Sequence, residues 1–219
     1  MFDAFVIELE AGSEQFLHAI FYVALIAEAI TAALVAGRRD MDWVGVCLLG
    51  CITALGGGAT RDVLLGNHPI TWVAHPQYLV VAGGAALSAI FLSRHVYHLR
   101  RAFLFLDAVG LVLFTVIGCS VASGLGMPVL VVIVSGMITG CAGGVYRDVL
   151  CNEVPLLFRA ELYATISALT GILYLLANSA GLHHDLAVIL ALISGLALRL
   201  LALRYSWSMP KFVYDRDVH

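Results

Sequence analysis

Two glycine-rich stretches of this chain are nearly the same, and each contains an adjacent arginine and aspartate. Residues 50–70 and 136–156 align at an offset of 86 positions, with 10 of the 21 positions identical. The charged pairs are Arg61–Asp62 in the first copy and Arg147–Asp148 in the second. An arginine or aspartate at the centre of a bilayer costs about 2.5–3.5 kcal/mol, even on the lenient insertion scale. Since both stretches are otherwise apolar, the chain is repeating a site.

The repeated glycines are suited to cation chemistry. Consecutive glycines permit a kink or an unwound turn in a helix. Carbonyl oxygens freed there, together with a threonine hydroxyl, are hard-oxygen groups that suit a partly dehydrated K⁺ or Na⁺. We therefore expect both helices to be interrupted, with the backbone at Gly57 and Gly143 able to hold the ion. The alternative is close helix packing, a common role of small residues in membrane helices.

The charged pairs are predicted to line a water-filled path, one pair near each mouth. Adjacent helical residues point about 100° apart, so we expect neither arginine to bond the aspartate beside it. The alternative is an ion-pair lock between the two halves of the protein. The ion-pathway residues predicted from both motifs are Thr53, Gly56, Gly57, Gly58, Arg61, Asp62, Thr139, Gly143, Gly144, Tyr146, Arg147 and Asp148.

Three of the candidate polar residues have a structural alternative. Glu28 is a single carboxylate within an apolar segment, for which hydrogen bonding to neighbouring helices competes with a pore role. Asp107 is either a helix-end charge or a functional one. Tyr146 either hydrogen-bonds in a pore or packs as an aromatic ring.

The composition excludes a soluble globular domain. The chain is 61% hydrophobic and 12% charged, whereas soluble domains carry about 25% charged residues. A net charge of −3 indicates no nucleic-acid partner. Zinc-protease, nucleophile-elbow and P-loop motifs are absent, so we expect neither an enzyme nor a cofactor.

The fold predicted from hydropathy is an all-α polytopic membrane protein in a single domain, 1–219. A bilayer core requires about 20 apolar residues per helix. The first three spans form repeat one (15–98) and the next three form repeat two (102–178). Because three is odd, repeat two must be inverted relative to repeat one. The predicted spans are 15–36, 43–65, 77–97, 102–123, 127–150, 157–178 and 184–204, the last a seventh helix followed by a tail at 205–219.

The basic residues predict the orientation of these spans. Nine of the twelve lysines and arginines fall on one set of alternate loops and none on the other. The positive-inside rule then places the N-terminus outside and the C-terminus in the cytoplasm. The nine residues are Arg38, Arg39, Arg94, Arg100, Arg101, Arg159, Arg204, Lys211 and Arg216.

The motifs resemble those of the trimeric intracellular cation channel (TRIC) family, whose bacterial branch is also labelled glycine transporter. The resemblance is carried by Gly56–Gly66 with Pro69, by Asp107–Leu111 and by Gly143–Leu150, and extends over roughly 15–204. It implies seven spans, two inverted three-helix repeats and a homotrimer. It also implies one pore per protomer, lined mainly by the second and fifth spans, for monovalent cations and mostly K⁺.

Two departures from the animal members favour the prokaryotic branch and its plasma membrane. Animal members carry a lysine in the second glycine motif and a long basic tail. Here Lys211 is the only lysine and the chain ends at His219. Partnership with calcium-release machinery or phosphoinositides is therefore not expected, and the expected partners are monovalent cations, membrane lipid and two further copies of the chain.

Two other functions remain compatible with the sequence. Inverted repeats with broken helices are typical of secondary transporters, here for a small solute such as glycine. A non-conducting structural membrane protein would leave both Arg–Asp pairs unexplained.

Overall fold

The structure, a computed structural model, describes residues 2–93, 99–159 and 162–207. The predicted end of the third span (94–97), the end of the tail (208–219) and the basic residues Arg94, Lys211 and Arg216 lie outside the described residues, as does the side chain of Arg159. Nine helices form within the described part: α1 Phe2–Ala36, α2 Trp43–Leu65, α3 Thr71–Ala74, α4 Gln77–Ser93, α5 Leu99–Gly124, α6 Val129–Leu150, α7 Leu156–Arg159, α8 Tyr163–Ser179 and α9 His184–Tyr205.

Five of these helices are long and apolar enough to cross a membrane, namely α1 from Gln15 onwards, α2, α5, α6 and α9. The helix α4 is apolar but shorter. The predicted sixth span, 157–178, begins too early, because α7 is a separate turn of helix and α8 begins at Tyr163. Hydropathy missed this boundary because three of the four residues of α7, at positions 156–158, are apolar.

Both motif-bearing helices end in the same way. The residues Gly66 and Asn152, which are 86 positions apart, both adopt left-handed backbone conformations, with φ of 64° and 53°. Beyond each, an amide donates to the carbonyl of the motif aspartate, Asn67 to Asp62 and Glu153 to Asp148, both at 2.8 Å. Such caps satisfy the last carbonyls of a helix and turn the chain sharply. Each cap therefore leads the chain into the short helix, α3 or α7, that follows its motif.

The helices form two three-helix groups. In the first group α1, α2 and α4 contact one another, and in the second α5, α6 and α8 do so. The helix α9 packs on α5 and α8, and the two groups meet along α1–α5 and α2–α6. Buried alanines, including Ala29, Ala82 and Ala86, let the helices of the first group approach closely.

Candidate functional site

The helices α2 and α6 cross where the repeated glycines lie. The space that a Cβ atom would occupy at Gly57 is taken by the backbone carbonyl of Thr139, and the space at Gly143 by that of Thr53. A third contact joins the equivalent residues Thr60 and Tyr146, whose hydroxyl groups lie 2.7 Å apart. These residues are related by the offset of 86, so the two motif helices make reciprocal contacts.

The predicted interruption of these helices is wrong. Both α2 and α6 continue as regular helices through Gly56–Gly58 and Gly143–Gly144. Their carbonyls remain in the helical hydrogen-bond ladder, and at Gly57 and Gly143 the missing side chain makes room for the partner helix. The packing alternative therefore describes these two glycines, and the structure provides no unwound backbone there to hold K⁺ or Na⁺.

The remaining small and hydroxyl residues of the motifs are placed around this crossing. Gly56 faces the ring of Tyr146, while Gly58 lies near Arg61 and Gly144 near the hydroxyl of Tyr163. The Thr139 hydroxyl donates to the Ser135 carbonyl at 2.7 Å. The Thr53 hydroxyl is buried and has no hydrogen-bond partner within the described part of the chain.

The Arg61 site is a compact ion pair at the end of α2. Arg61 donates from Nε and Nη2 to Asp62 Oδ1, at 3.0 and 2.7 Å. Asp62 Oδ2 accepts from the backbone amide and the hydroxyl of Thr71, at 2.9 and 2.6 Å, and Asn67 donates to Oδ1 at 3.0 Å. Asp62 therefore ties the arginine to the first residue of α3.

The Arg147 site repeats this pattern and extends it. Arg147 Nε donates to Asp148 Oδ1 at 2.8 Å, and Asp148 Oδ2 accepts from the amide of Leu156, the first residue of α7, at 2.9 Å. The expectation that adjacent residues do not pair is thus wrong in both copies. An arginine side chain has enough length and rotatable bonds to curl back across the 100° between neighbouring positions.

Two further carboxylates join Arg147 from other helices. Asp107 of α5 accepts from Nη1 at 3.0 Å, and Glu28 of α1 lies 3.7 Å from the same nitrogen. The hydroxyl of Thr31 accepts from Nη1 at 3.0 Å. All three are buried. Asp107 therefore belongs to the site rather than to a helix end, and Glu28 takes part in an ion pair as well as in a hydrogen bond.

The two copies differ sharply in charge. Positions 86 residues away from Glu28 and Asp107 are occupied by Phe114 and Phe21, which with Arg61 border a small void. Arg147 therefore has three carboxylate partners. Among the described residues, Arg61 forms an ion pair with Asp62 alone. The duplicated motif thus forms two unequal sites.

Sequence reasoning missed four residues of the Arg147 site. The centre of the Phe103 ring lies 4.7 Å from the Arg147 guanidinium carbon, and the Thr31 hydroxyl accepts from Arg147. The Tyr163 hydroxyl donates to Asp107 at 3.5 Å, while the Tyr163 ring lies 4.7 Å from the guanidinium carbon of Arg199. Arg199 stands out in the sequence because a charged residue is unusual within an apolar segment. Aromatic residues and threonines are too common in such segments to be singled out.

Two cavities approach these sites from opposite ends of α1 and α5. The Arg61 cavity, about 300 Å³ in volume, also contacts His18 and Phe21 of α1 and Ile117 of α5. The Asp148 cavity, about 510 Å³, is lined by Val35, Arg38, Arg100, Phe103, Leu104 and Asp148 among others.

The Arg147 cluster lies between the two cavities. Along α1 the cavity walls end at Phe21 and begin again at Val35, a rise of about 21 Å at 1.5 Å per residue. Glu28 is halfway along this interval. The buried group of Glu28, Asp107 and Arg147 therefore separates two spaces that open toward opposite ends of the helices.

The chain matches a known family and several bacterial membrane proteins. The family model described as "Glycine transporter" matches twice, over residues 18–94 and 104–179. The inner membrane protein YadS of Escherichia coli (strain K12) is 38% identical over 191 residues, which cover 86% of this chain and 92% of that protein. A membrane protein of Vibrio cholerae is 38% identical over 192 residues, covering 86% of this chain and 79% of the relative.

Solved structures decide the family name. The TRIC orthologue from Rhodobacter sphaeroides superposes with a TM-score of 0.84 at 33% identity, covering 87% of this chain and 98% of that one. The chain belongs to the prokaryotic branch of the TRIC family. A second TRIC cation channel gives a TM-score of 0.83 at 35% identity, over 91% of this chain and 98% of the other. The TRIC channel of C. elegans, at 15% identity and a TM-score of 0.58, shares the fold alone.

Proposed function

We propose that this TRIC member is a monovalent cation channel, permeable mainly to K⁺, with one pathway in each protomer. The observation that carries the proposal is the pair of cavities separated by the buried Arg147 cluster. The pathway runs between the two helix groups, and the motif helices α2 and α6 contribute Arg61 and Arg147 to it. The relatives described as TRIC cation channels support this function.

The charges near the path suit a gated cation route. Asp62 offsets the charge of Arg61 beside one cavity, and three carboxylates surround Arg147 between the cavities. The full burial of Arg147 supports a closed state of this proposed pathway. Opening requires Arg147 to leave Glu28 and Asp107, after which those carboxylates face the passing cation.

The architecture proposed for the channel has seven membrane spans in two inverted three-helix repeats. Support comes from the double match of the family model and from the reciprocal contacts at the α2–α6 crossing. The N-terminus is outside and the C-terminus is in the cytoplasm of a prokaryotic cell, with the Asp148 cavity on the cytoplasmic side. The channel is a homotrimer embedded in membrane lipid, a proposal supported by its similarity to the trimeric intracellular cation channel orthologue of Rhodobacter sphaeroides.

Planar bilayers test the channel function directly. Purified protein with K⁺ on both sides should give discrete unitary currents, and the reversal potential in a KCl gradient should lie close to that of K⁺. Material purified in parallel from cells without the gene controls for contaminating channels. Absence of unitary currents together with gradient-coupled solute uptake would contradict a channel.

A secondary transporter of a small solute is the second candidate. It is favoured by the description of the matching family model, "Glycine transporter". Two cavities that open toward opposite ends and meet at a buried polar cluster also suit alternating access. Uptake of labelled glycine into proteoliposomes, saturable and driven by an ion gradient, would support this candidate over the channel.

A further inference from the structure

The helix α9 lies outside the duplicated region but carries a fully buried arginine. Arg199 is 0% exposed, and it lies six residues, or about 9 Å, before the end of α9. A helix that only packs against its neighbours or faces lipid has no need of such a residue. Burying an arginine at this depth is costly unless other charges or aromatic rings stabilise it.

The side chain of Tyr163 connects Arg199 to the Arg147 site. Its guanidinium carbon lies 4.7 Å from the ring centre of Tyr163, an arrangement in which the ring face attracts the cation. The hydroxyl of the same tyrosine donates to Asp107 at 3.5 Å. Tyr163 is itself buried, so the interaction between Arg199 and Asp107 passes through a region that excludes water.

The carboxyl groups of the Arg147 site outnumber its arginine. Arg147 brings one positive charge to Glu28, Asp107 and Asp148, which carry three ionisable carboxyl groups. Unpaired charge in a buried space destabilises the fold, and an excess of negative charge there attracts cations. At the Arg61 site, Asp62 provides the balance, and α9 has no counterpart in the first repeat. The additional arginine therefore accompanies the additional carboxylates.

We propose that Arg199 is a positioning residue of the cation pathway. Acting through Tyr163, it offsets the excess carboxylate charge around Arg147 and so limits how tightly a cation is held between the two cavities. The seventh helix is then part of the electrostatics of the path rather than only a packing element. This inference rests on the proposed cation pathway, although its effect on stability does not.

The test removes the charge of Arg199 and then removes one opposing carboxylate. In R199M, whose side chain keeps much of the bulk but has no charge, the K⁺ concentration that gives half-maximal unitary current should fall on the order of tenfold, because the site becomes more negative. R199K should stay near the wild-type value. Adding Glu28→Gln to R199M should restore the concentration dependence, since one carboxylate is lost with one arginine.

The matched control is Asp185→Asn in the R199M background. Asp185 lies 14 residues from Arg199 on the same helix, about 21 Å away along its axis. Its replacement by asparagine therefore removes one carboxylate, as Glu28→Gln does, but leaves the Arg147 site unchanged. It should not restore the K⁺ dependence. A wild-type K⁺ dependence in R199M, or equal recovery with D185N and E28Q, would overturn the proposal.

Thermal unfolding of the purified variants separates this inference from the channel function. R199M should unfold at a lower temperature than wild type, R199M/E28Q should recover, and R199M/D185N should not. If R199M does not fold, recovery of expression by E28Q and not by D185N supports the proposal in the same way. No recovery by E28Q shows that Arg199 does not offset the charge of these carboxylates, and this holds even if the wild-type protein conducts no current.

Discussion

At the scale of single residues, two equivalent arginines have different surroundings. Arg61 is paired with Asp62, which also accepts hydrogen bonds from Thr71 and Asn67. Arg147 is the common partner of Asp148, Asp107 and Glu28. Removing one member of a buried charge group costs more than the group contributes, because the remaining charges stay buried without a partner.

The first prediction is that Arg147→Gln destabilises the protein much more than Arg61→Gln. Loss of Arg147 leaves three buried carboxylates without their counter-ion, a cost of about 3–5 kcal/mol, while Asp62 retains its other donors. The comparison is made from unfolding midpoints in detergent. Arg39→Gln serves as the control, since the Arg39–Glu153 pair is exposed and such pairs contribute about 1 kcal/mol or less. Equal losses for the two buried arginines would refute the asymmetry.

The second prediction concerns the direction of current flow. Arg61 borders one cavity, and Arg147 lies next to Asp148, which lines the other. Each arginine should therefore limit cation entry from its own side. Arg61→Gln and Arg147→Gln should therefore change the rectification of unitary currents in opposite senses. Unchanged currents from the surviving protein of both variants, together with reduced expression, would indicate that both pairs are purely structural locks.

At the scale of helices, the crossing of α2 and α6 depends on two residues without side chains. A Cβ at Gly57 or Gly143 would overlap a backbone carbonyl of the opposite helix, and a helix backbone moves much less easily than the end of a flexible side chain. Since the Arg–Asp pairs follow these glycines by one helical turn, the distance between the helices also sets the positions of both sites.

The third prediction is that Gly57→Ala and Gly143→Ala each destabilise the fold by about 1–3 kcal/mol, the usual cost of overpacking. The matched control is Gly84→Ala within α4, where no atom lies within 4 Å of the added carbon. That change should be neutral or stabilising by up to about 1 kcal/mol, because alanine favours the helix. Tolerance of alanine at both crossing positions, measured by thermal unfolding, would show that the helices are not held at this distance.

At the scale of the whole molecule, the repeat places each site beside a cavity at one end of the α1–α5 pair. The family match covers both halves of the chain in turn, so each half supplies one motif, and the proposed path lies at the interface between the halves. In the proposed channel, the orientation of this arrangement in the membrane determines which site a cation meets first.

The fourth prediction is that the loop after α5 faces the outside and the loop after α6 faces the cytoplasm. Single cysteines at Ser123, in the last turn of α5, and at Val154, in the loop after α6, are both exposed and are introduced into a variant whose five native cysteines are replaced by alanine. An impermeant thiol reagent on intact cells should label position 123 and not 154, and permeabilised cells should show labelling at both. The opposite pattern would invert the topology.

The sequence by itself determined the membrane class, the duplicated motif and the family, because composition and an 86-residue offset are properties of the chain alone. It also singled out Glu28, Asp107 and both Arg–Asp pairs as costly in lipid. Only the tertiary structure decided how these residues combine. Local pattern cannot show that two glycine-rich helices cross rather than unwind, since that depends on the backbone brought opposite Gly57 and Gly143. Nor can it show that Arg147 gathers carboxylates from α1 and α5 while Arg61 faces phenylalanines, because those partners come from distant positions and meet only when the helix groups pack.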